Sequence, residues 1–234
     1  MVIPKVEDYL KTIHRLQDRD TQVAPSAIAT AMGVQPPTVT AMLKRMHDDG
    51  FVDYERYQGA RLTTRGEKLA LETLRHHRLL ELFLTEQLGY DWSEVHDEAD
   101  VLEHYISEKL EARIAALLGF PTVDPHGAPI PTVDLKVRHD AGQQSVDQFD
   151  EGSLVVVSEV RDNSPDVLDY LTEVGVRLGA LLKVIEVAPF GMITLKVRET
   201  DDQFSLPSET ASSIFVTQFD ATSTSESGQF SEVH

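Results

Sequence analysis

Apolar positions recur at helical spacing from the start of the chain: in "KVEDYLKTIHRLQ", residues 5–17, Val6, Tyr9, Leu10, Ile13 and Leu16 fall on one stripe. The segment "APSAIATAMGVQPPTVTAMLKRMHDDGFV" then predicts a short helix from about Pro25–Ser26 that stops at Gly33. A second helix follows, with Pro37 in its first turn, where a missing N–H costs nothing, and with Val39, Met42, Leu43 and Met46 as its apolar side. Two short helices joined by a Gly-containing turn form a helix-turn-helix pattern. After Gly50, "FVDYERYQGARLTT" predicts two short strands around "YQG", with Arg56 and Arg61 near the tip. A helix-turn-helix running directly into such a hairpin predicts a winged helix over residues 1–66.

Residues 64–88 carry no proline and predict a long helix ended at Gly89. "EVHDEADVLEHYISEKLEARIAALLG", residues 94–119, has helical apolar periodicity, as one bent helix or as two over 94–100 and 100–118. Leu69, Leu80, Phe83, Leu84, Leu102, Ile106, Leu110 and Ile114 offer more apolar surface than one thin helical layer buries. Dimerisation or ordinary tertiary packing would cover it. From Gly119 to Gln148 the chain turns into a linker stiffened by Pro121, Pro125, Pro129 and Pro131. Beyond it, strands alternate with Gly-marked turns and one short helix at 165–173, which predicts a small β-barrel of about 70 residues without a catalytic set. The tail "ATSTSESGQFSEVH" is polar and low in complexity, so residues 218–234 are expected to be disordered.

Composition narrows the class. A hydrophobic content of 41% supports folded cores, and no apolar run approaches the ~20 residues of a membrane helix. The N-terminus lacks a signal peptide's apolar core, so the chain is expected to be cytoplasmic, with no membrane partner. Absence of cysteine excludes disulfides, thiolate zinc sites and cysteine nucleophiles. The net charge of −18 is uneven: residues 1–66 carry 9 Lys/Arg against 8 Asp/Glu, residues 67–140 carry 7 against 15, and residues 141–234 carry 5 against 16. Only the first third escapes the acidity, which points it at an anionic partner. Excess acid, 8 Lys and no Cys resemble proteins of salt-loving organisms. In near-molar salt the Debye length is about 3 Å, so an acidic protein can still approach DNA.

The 94–119 segment also places His96, Asp100, Glu103 and His104 at offsets 0, 4, 7 and 8, on one face of an α-helix. His77 and Glu81 stand one turn apart on the preceding helix. Imidazoles and carboxylates on one stripe are either a solvated acidic face or a site for a divalent metal such as Mn²⁺, Fe²⁺, Co²⁺ or Zn²⁺.

"VEDYLKTIHRL", "GVQPPTVTAMLKRMHDDGFV", "LTTRGEKLA", "HHRLLELFL", "VHDEADVLEHYISEKLE" and "PHGAPIP" occur in order from about residue 5 to 133. Together they resemble the metal-dependent repressors of the diphtheria toxin repressor type, and residues 150–217 resemble the SH3-like, FeoA-type domain of its longer members. The resemblance implies a mainly α protein with small β elements: a winged helix at 1–66, a helical metal-binding and dimerisation domain at 67–140, and a FeoA-type β-barrel at 150–217. It further implies a homodimer that grips double-stranded operator DNA when Mn²⁺ or Fe²⁺ is bound, at two metal sites per subunit. Asp8, Asp100, Glu103 and His104 match the primary site, and His77, Glu81 and His96 match the ancillary one. Asp8 and Asp100 stand where iron-sensing members carry Met and Cys, which tilts the expectation toward Mn²⁺. Lys11 departs from the manganese-sensing branch, which has a Glu there. In longer members the third domain lends ligands to the ancillary site; Ser164 and Val167 fall at those positions, with Asp166 as a substitute.

On DNA, Gln35, Pro37, Thr38 and Thr40 at the start of the second helix are expected to face base edges and thymine methyls, while Lys44, Arg45, Arg56 and Arg61 hold the backbone. No small organic substrate is expected. Two other readings are a winged-helix regulator without metal dependence and a carboxylate-bridged di-metal enzyme. The second would normally repeat Glu-x-x-His on paired helices, which this chain does not do.

Overall fold

Prolines open the first three helices, where the lost N–H has no helical partner to forfeit: α1 (Pro4–Leu16), α2 (Pro25–Ala31) and α3 (Pro36–Asp48). The computed structural model describes residues 4–17, 21–137, 142–161 and 164–219. After α3 come β1 (Val52–Glu55) and β2 (Gly59–Leu62), paired antiparallel from Val52↔Leu62 to Glu55↔Gly59. This is the helix-turn-helix plus wing that the pattern predicts. Its core holds Val6, Tyr9, Leu10, Ile13, Ile28, Val39, Leu43 and Met46, together with Phe51, Val52, Ala60 and Ala70. Leu16, expected on the α1 stripe, is exposed at the helix end.

Thr63 turns the hairpin into α4 (Thr64–Phe83): its side-chain oxygen accepts from the Gly66 N–H at 3.1 Å and so satisfies one of the helix's orphan donors. The expected 64–88 helix is realised in extent, but its last turn, Leu84–Leu88, widens to a π-turn before left-handed Gly89. The 94–119 segment is two helices, α5 (Val95–Leu102) and α6 (Glu108–Leu117). They separate because Ser107 takes an extended backbone and caps α6 by accepting from the Leu110 N–H.

Within the stretch that reads as a proline-stiffened linker, residues 129–131 pack on the helices of the first unit. Ile130 is buried with Leu79, Leu80, Ala99 and Ile114. Arg75 of α4 donates to the Pro131 carbonyl at 2.6 Å, and Arg78 donates to the Pro129 carbonyl. These two proline carbonyls therefore take their donors from side chains of α4.

The chain divides into two compact units, the first from the described parts of Met1–Tyr90, Val95–Asp124 and Pro129–Arg138. The second contains an antiparallel sheet of six strands in the order β3-β8-β4-β5-β6-β7. These are β3 (Gln144–Ser145), β4 (Leu154–Val160), β5 (Leu181–Ala188), β6 (Met192–Val197), β7 (Gln203–Pro207) and β8 (Ile214–Gln218). Helix α7 (Pro165–Glu173) sits where the sequence places its short helix, and α8 (Ser208–Ala211) adds one more turn. Alternating strand positions such as Val155, Val157, Leu182, Val184, Ile193, Leu195 and Val216 bury one core with Leu168 and Leu171 of α7. Residues 91–94 and 125–128 belong to this second unit: Trp92 donates its indole N–H to Thr172 Oγ1 at 2.6 Å and stacks on His126. The expected tail lies, from residue 220, outside the described residues. Among the described residues, no helix is long and apolar enough to cross a membrane.

Candidate metal centre

Three segments of the first unit converge on one acidic and histidine-rich cluster. Helix α1 contributes Glu7, Asp8 and Lys11; α4 contributes His77 and Glu81, one turn apart; α5 contributes His96 and Asp100, also one turn apart. Glu103 and His104 follow in the turn after α5, with the Glu103 N–H still bonded to the Ala99 carbonyl. His96 and Asp100 thus lie on α5, and Glu103 and His104 just beyond its end.

Two sets of ligand atoms lie within 4.8 Å of one another: His77, His96 and Asp100 in one, and Asp8, Glu103 and His104 in the other. Asp100, expected beside Asp8, Glu103 and His104, groups instead with the two imidazoles. In that first set His77 Nε2 is 2.9 Å from Glu81 Oε1 and 3.1 Å from His96 Nδ1, while His96 Nδ1 is 3.2 Å from the same Glu81 oxygen. Asp100 closes it, with Oδ2 3.6 Å from His96 Nε2 and Oδ1 3.3 Å from His77 Nδ1. In the second set His104 Nε2 is 2.9 Å from Asp8 Oδ1 and 3.6 Å from Glu103 Oε1.

The sets join through Glu103, whose side chain is fully buried. Its Oε2 lies 2.6 Å from His77 Nδ1, and both of its oxygens accept from the Lys11 ammonium. Lys11 also donates to Asp100 Oδ1 at 2.8 Å. Both ring nitrogens of His77 therefore face carboxylates, which is the arrangement of an imidazolium with two N–H donors. Burial opposes that charge, but Glu81 beside it and the hydrogen bonds to Glu103 and Glu81 outweigh burial and raise its pKa to about 9. Burial works against ionised Asp100 as well, yet the Lys11 ammonium prevails and holds its pKa below the ordinary value. For Asp8 burial wins over His104 and Lys11, and its pKa is raised.

Nitrogen and carboxylate oxygen are donors suited to a divalent first-row ion, with no soft sulfur present. The His77 imidazolium and the Lys11 ammonium supply positive charge among these carboxylates. Sequence reasoning missed Glu7, whose Oε2 lies 2.6 Å from His104 Nδ1 and orients that ring. The acidic pair in "EDY" was its only signal. It also missed His76, which bonds the Glu103 carbonyl through Nδ1 and Glu111 through Nε2. Ser164, Asp166 and Val167 stand at the start of α7 in the second unit, and neither donor set includes them.

The residues expected at DNA lie on the solvent side of α3 and the wing. Gln35 precedes α3 in extended conformation, with Pro37 and Thr38 exposed in the first turn. Thr40 is half-buried, its hydroxyl returned to the Pro36 carbonyl at 3.1 Å. Lys44 and Arg45 are exposed; Arg45 stands 3.8 Å from Asp49. At the wing, Arg56 lies over the Tyr57 ring, and Arg61 pairs across the hairpin with Asp53 at 3.2 Å.

Comparison with known proteins gives consistent matches along the chain. Residues 1–60 match the iron dependent repressor N-terminal DNA binding domain, residues 63–132 the iron dependent repressor metal binding and dimerisation domain, and residues 144–218 the FeoA domain. The chain is 31% identical over 226 residues to the iron-dependent repressor IdeR of Mycobacterium leprae, covering 92% of this chain and 97% of that protein. Among solved structures it is similar to a manganese-dependent transcriptional repressor in complex with manganese, with a TM-score of 0.84, 36% identity, and coverage of 92% and 100% of the two chains. It is also similar to ScaR with bound Zn²⁺, with a TM-score of 0.77, 30% identity, and coverage of 92% and 99%.

Proposed function

Because this chain belongs to the diphtheria toxin repressor family of metal-dependent transcriptional repressors, we propose that it binds double-stranded operator DNA as a homodimer when Mn²⁺ or Fe²⁺ fills two sites in each subunit, and so represses genes for uptake of that metal. The family is not one of enzymes, which removes the di-metal enzyme reading. The protein would act in the cytoplasm through a winged helix at 1–66, a metal-binding and dimerisation domain at 67–140 and a FeoA-type domain at 150–217.

The observation that carries this reading is the convergence of donors from α1, α4 and the end of α5 on two adjacent sets. Asp8 sits on α1, whose other face, Val6, Leu10 and Ile13, is core of the winged helix. An ion held by Asp8, Glu103 and His104 would tie that helix to the turn after α5. A second, held by His77, Glu81, His96 and Asp100, would tie α5 to α4. Metal loading would thereby fix where α3 stands when Gln35, Pro37, Thr38 and Thr40 meet the major groove, with Lys44, Arg45, Arg56 and Arg61 on phosphates. Leu110 and Leu117, seven residues apart on one face of α6, are exposed together with Val101, Tyr105 and Phe120, which supports pairing of two subunits there. Oxygen-rich donors without sulfur favour Mn²⁺ over Fe²⁺; since intrinsic affinities favour later metals over both, selectivity would rest on geometry and supply.

Metal removal tests the reading. Fluorescence anisotropy with a transporter-promoter fragment, with sedimentation of the same samples, is expected to show a dimer bound to DNA in Mn²⁺ and loss of DNA binding in chelator. Equal binding in both would leave a winged-helix regulator without metal dependence.

Proton release is a second expected outcome. His77 must lose a proton to bind metal, and its pKa of about 9 in the metal-free protein lies above its ordinary 6.5. Mn²⁺ affinity should therefore rise about tenfold per pH unit from pH 7 to 8 on account of this group alone. Stability of the metal-free protein runs the opposite way: the imidazolium's contribution is full below pH 6.5 and lost as pH rises through about 9. Calorimetric titration in buffers of different ionisation enthalpy counts the proton; a pH-independent affinity without proton release would remove His77 from the site.

A further inference from the structure

Lys11 belongs to the cluster but is not among the seven proposed ligands. Its Nζ lies 2.8 Å from Asp100 Oδ1, 2.7 and 2.8 Å from the two oxygens of Glu103, and 3.4 Å from His77 Nδ1. Three carboxylate oxygens around one cationic atom are hard-donor surroundings that a divalent ion takes, while His77 Nδ1, which faces Glu103 as an N–H donor, is a cationic neighbour of the ammonium. Asp100 belongs to one donor set and Glu103 to the other, so the ammonium stands at their junction. Five carboxylates crowd this region: Glu7, Asp8, Glu81, Asp100 and Glu103. The Lys11 ammonium, together with the His77 imidazolium, offsets the mutual repulsion of these carboxylates.

Resting on the two-site reading above, we infer that Lys11 is a tethered cation that fills the junction in the metal-free protein, competes with divalent ions for Asp100 and Glu103, and is displaced when they bind. Its ammonium rides on a flexible four-carbon stem that is 19% exposed, so it has a path out to solvent. Because Lys11 is held on α1 beside the site, its effective concentration there is far above that of any free ion, and the metal must overcome it. Once ions of charge +2 occupy either set, the ammonium cannot stay within a few ångströms of them without strong repulsion. Lys11 would thus set the metal concentration at which the repressor switches.

Calorimetric titration of the metal-free full chain with MnCl₂, at fixed pH and salt, tests this against Lys11→Met and Lys11→Gln. Both variants are expected to bind Mn²⁺ at least about tenfold more tightly than the parent, with the same stoichiometry, and to melt at lower temperature in chelator. In the parent, mass-spectrometric amine labelling should modify Lys11 faster in saturating Mn²⁺ than in chelator. Equal or weaker affinity in the variants, or slower labelling with Mn²⁺, overturns the inference. If one variant does not fold the other decides, and labelling of the parent decides if neither does. A parent that takes up no Mn²⁺ brings down the two-site reading and this inference with it, whereas normal uptake in the parent with unchanged variants brings down Lys11 alone.

Discussion

Glu103→Gln is expected to abolish metal-activated DNA binding, raising the Mn²⁺ concentration needed by at least about 100-fold, since even groups behind a metal's ligands are worth 10–100-fold in affinity. The fully buried side chain of Glu103 links the two donor sets. Glu103 meets His77 at 2.6 Å, accepts two hydrogen bonds from Lys11, and completes the donor set with Asp8 and His104. Glutamine keeps the shape but removes the charge, so the buried His77 and the part-buried Lys11 lose a carboxylate partner as well. Melting of the variant in chelator separates that structural loss from the metal defect. Mn²⁺-activated binding within threefold of the parent, measured by anisotropy, would show that Glu103 is a structural acid and no ligand.

The second large effect concerns how α4 is seated. Alanine normally improves a helix interior by nearly 1 kcal/mol over glycine. At Gly66 the opposite is expected: an added Cβ would stand 2.0 Å from the Phe51 carbonyl oxygen and 3.0 Å from its carbon. That carbonyl cannot swing aside, because it accepts from the Thr63 N–H at 3.0 Å and from the Thr63 hydroxyl at 3.1 Å. Gly66→Ala must therefore part α4 from the end of α3 and the wing, at a cost of about 2–3 kcal/mol. Urea unfolding followed by helical signal should show the loss, and metal-dependent DNA binding should weaken with it. A variant as stable as the parent would mean that the helix start relaxes without resistance.

How much of this was legible beforehand depends on the range over which each interaction acts. The winged helix could be read because its signals are local: proline at helix starts, the apolar stripe of Val39, Leu43 and Met46, and a hairpin turn. Spacing showed His77–Glu81 and His96–Asp100 as one-turn pairs within single helices, and the family resemblance supplied the full set of seven proposed ligands. Glu7 and His76 escaped notice because their partners, His104 and Glu103, arrive from distant segments. The proline-rich stretch misled for a related reason. Composition shows stiffness and polarity, but not that Arg75 and Arg78, some fifty residues upstream, bond its carbonyls.

Sequence by itself determined most elements and their order, since periodicity and caps are properties of neighbours along the chain, and its ordered motifs carried the resemblance to the family and the chemical kinds of the proposed donors. The resemblance already groups Asp8 with Glu103 and His104, and His77 with Glu81 and His96. Only the tertiary structure put Asp100 with the second group and Lys11 between the two. Helix α5 ends at Leu102, His104 meets Glu7 and Asp8, Asp100 lies with His77 and His96, and Lys11 lies between the two sets. Those placements depend on contacts between α1, α4 and α5, whose distances and burial set the charges, and no spacing along the chain encodes them.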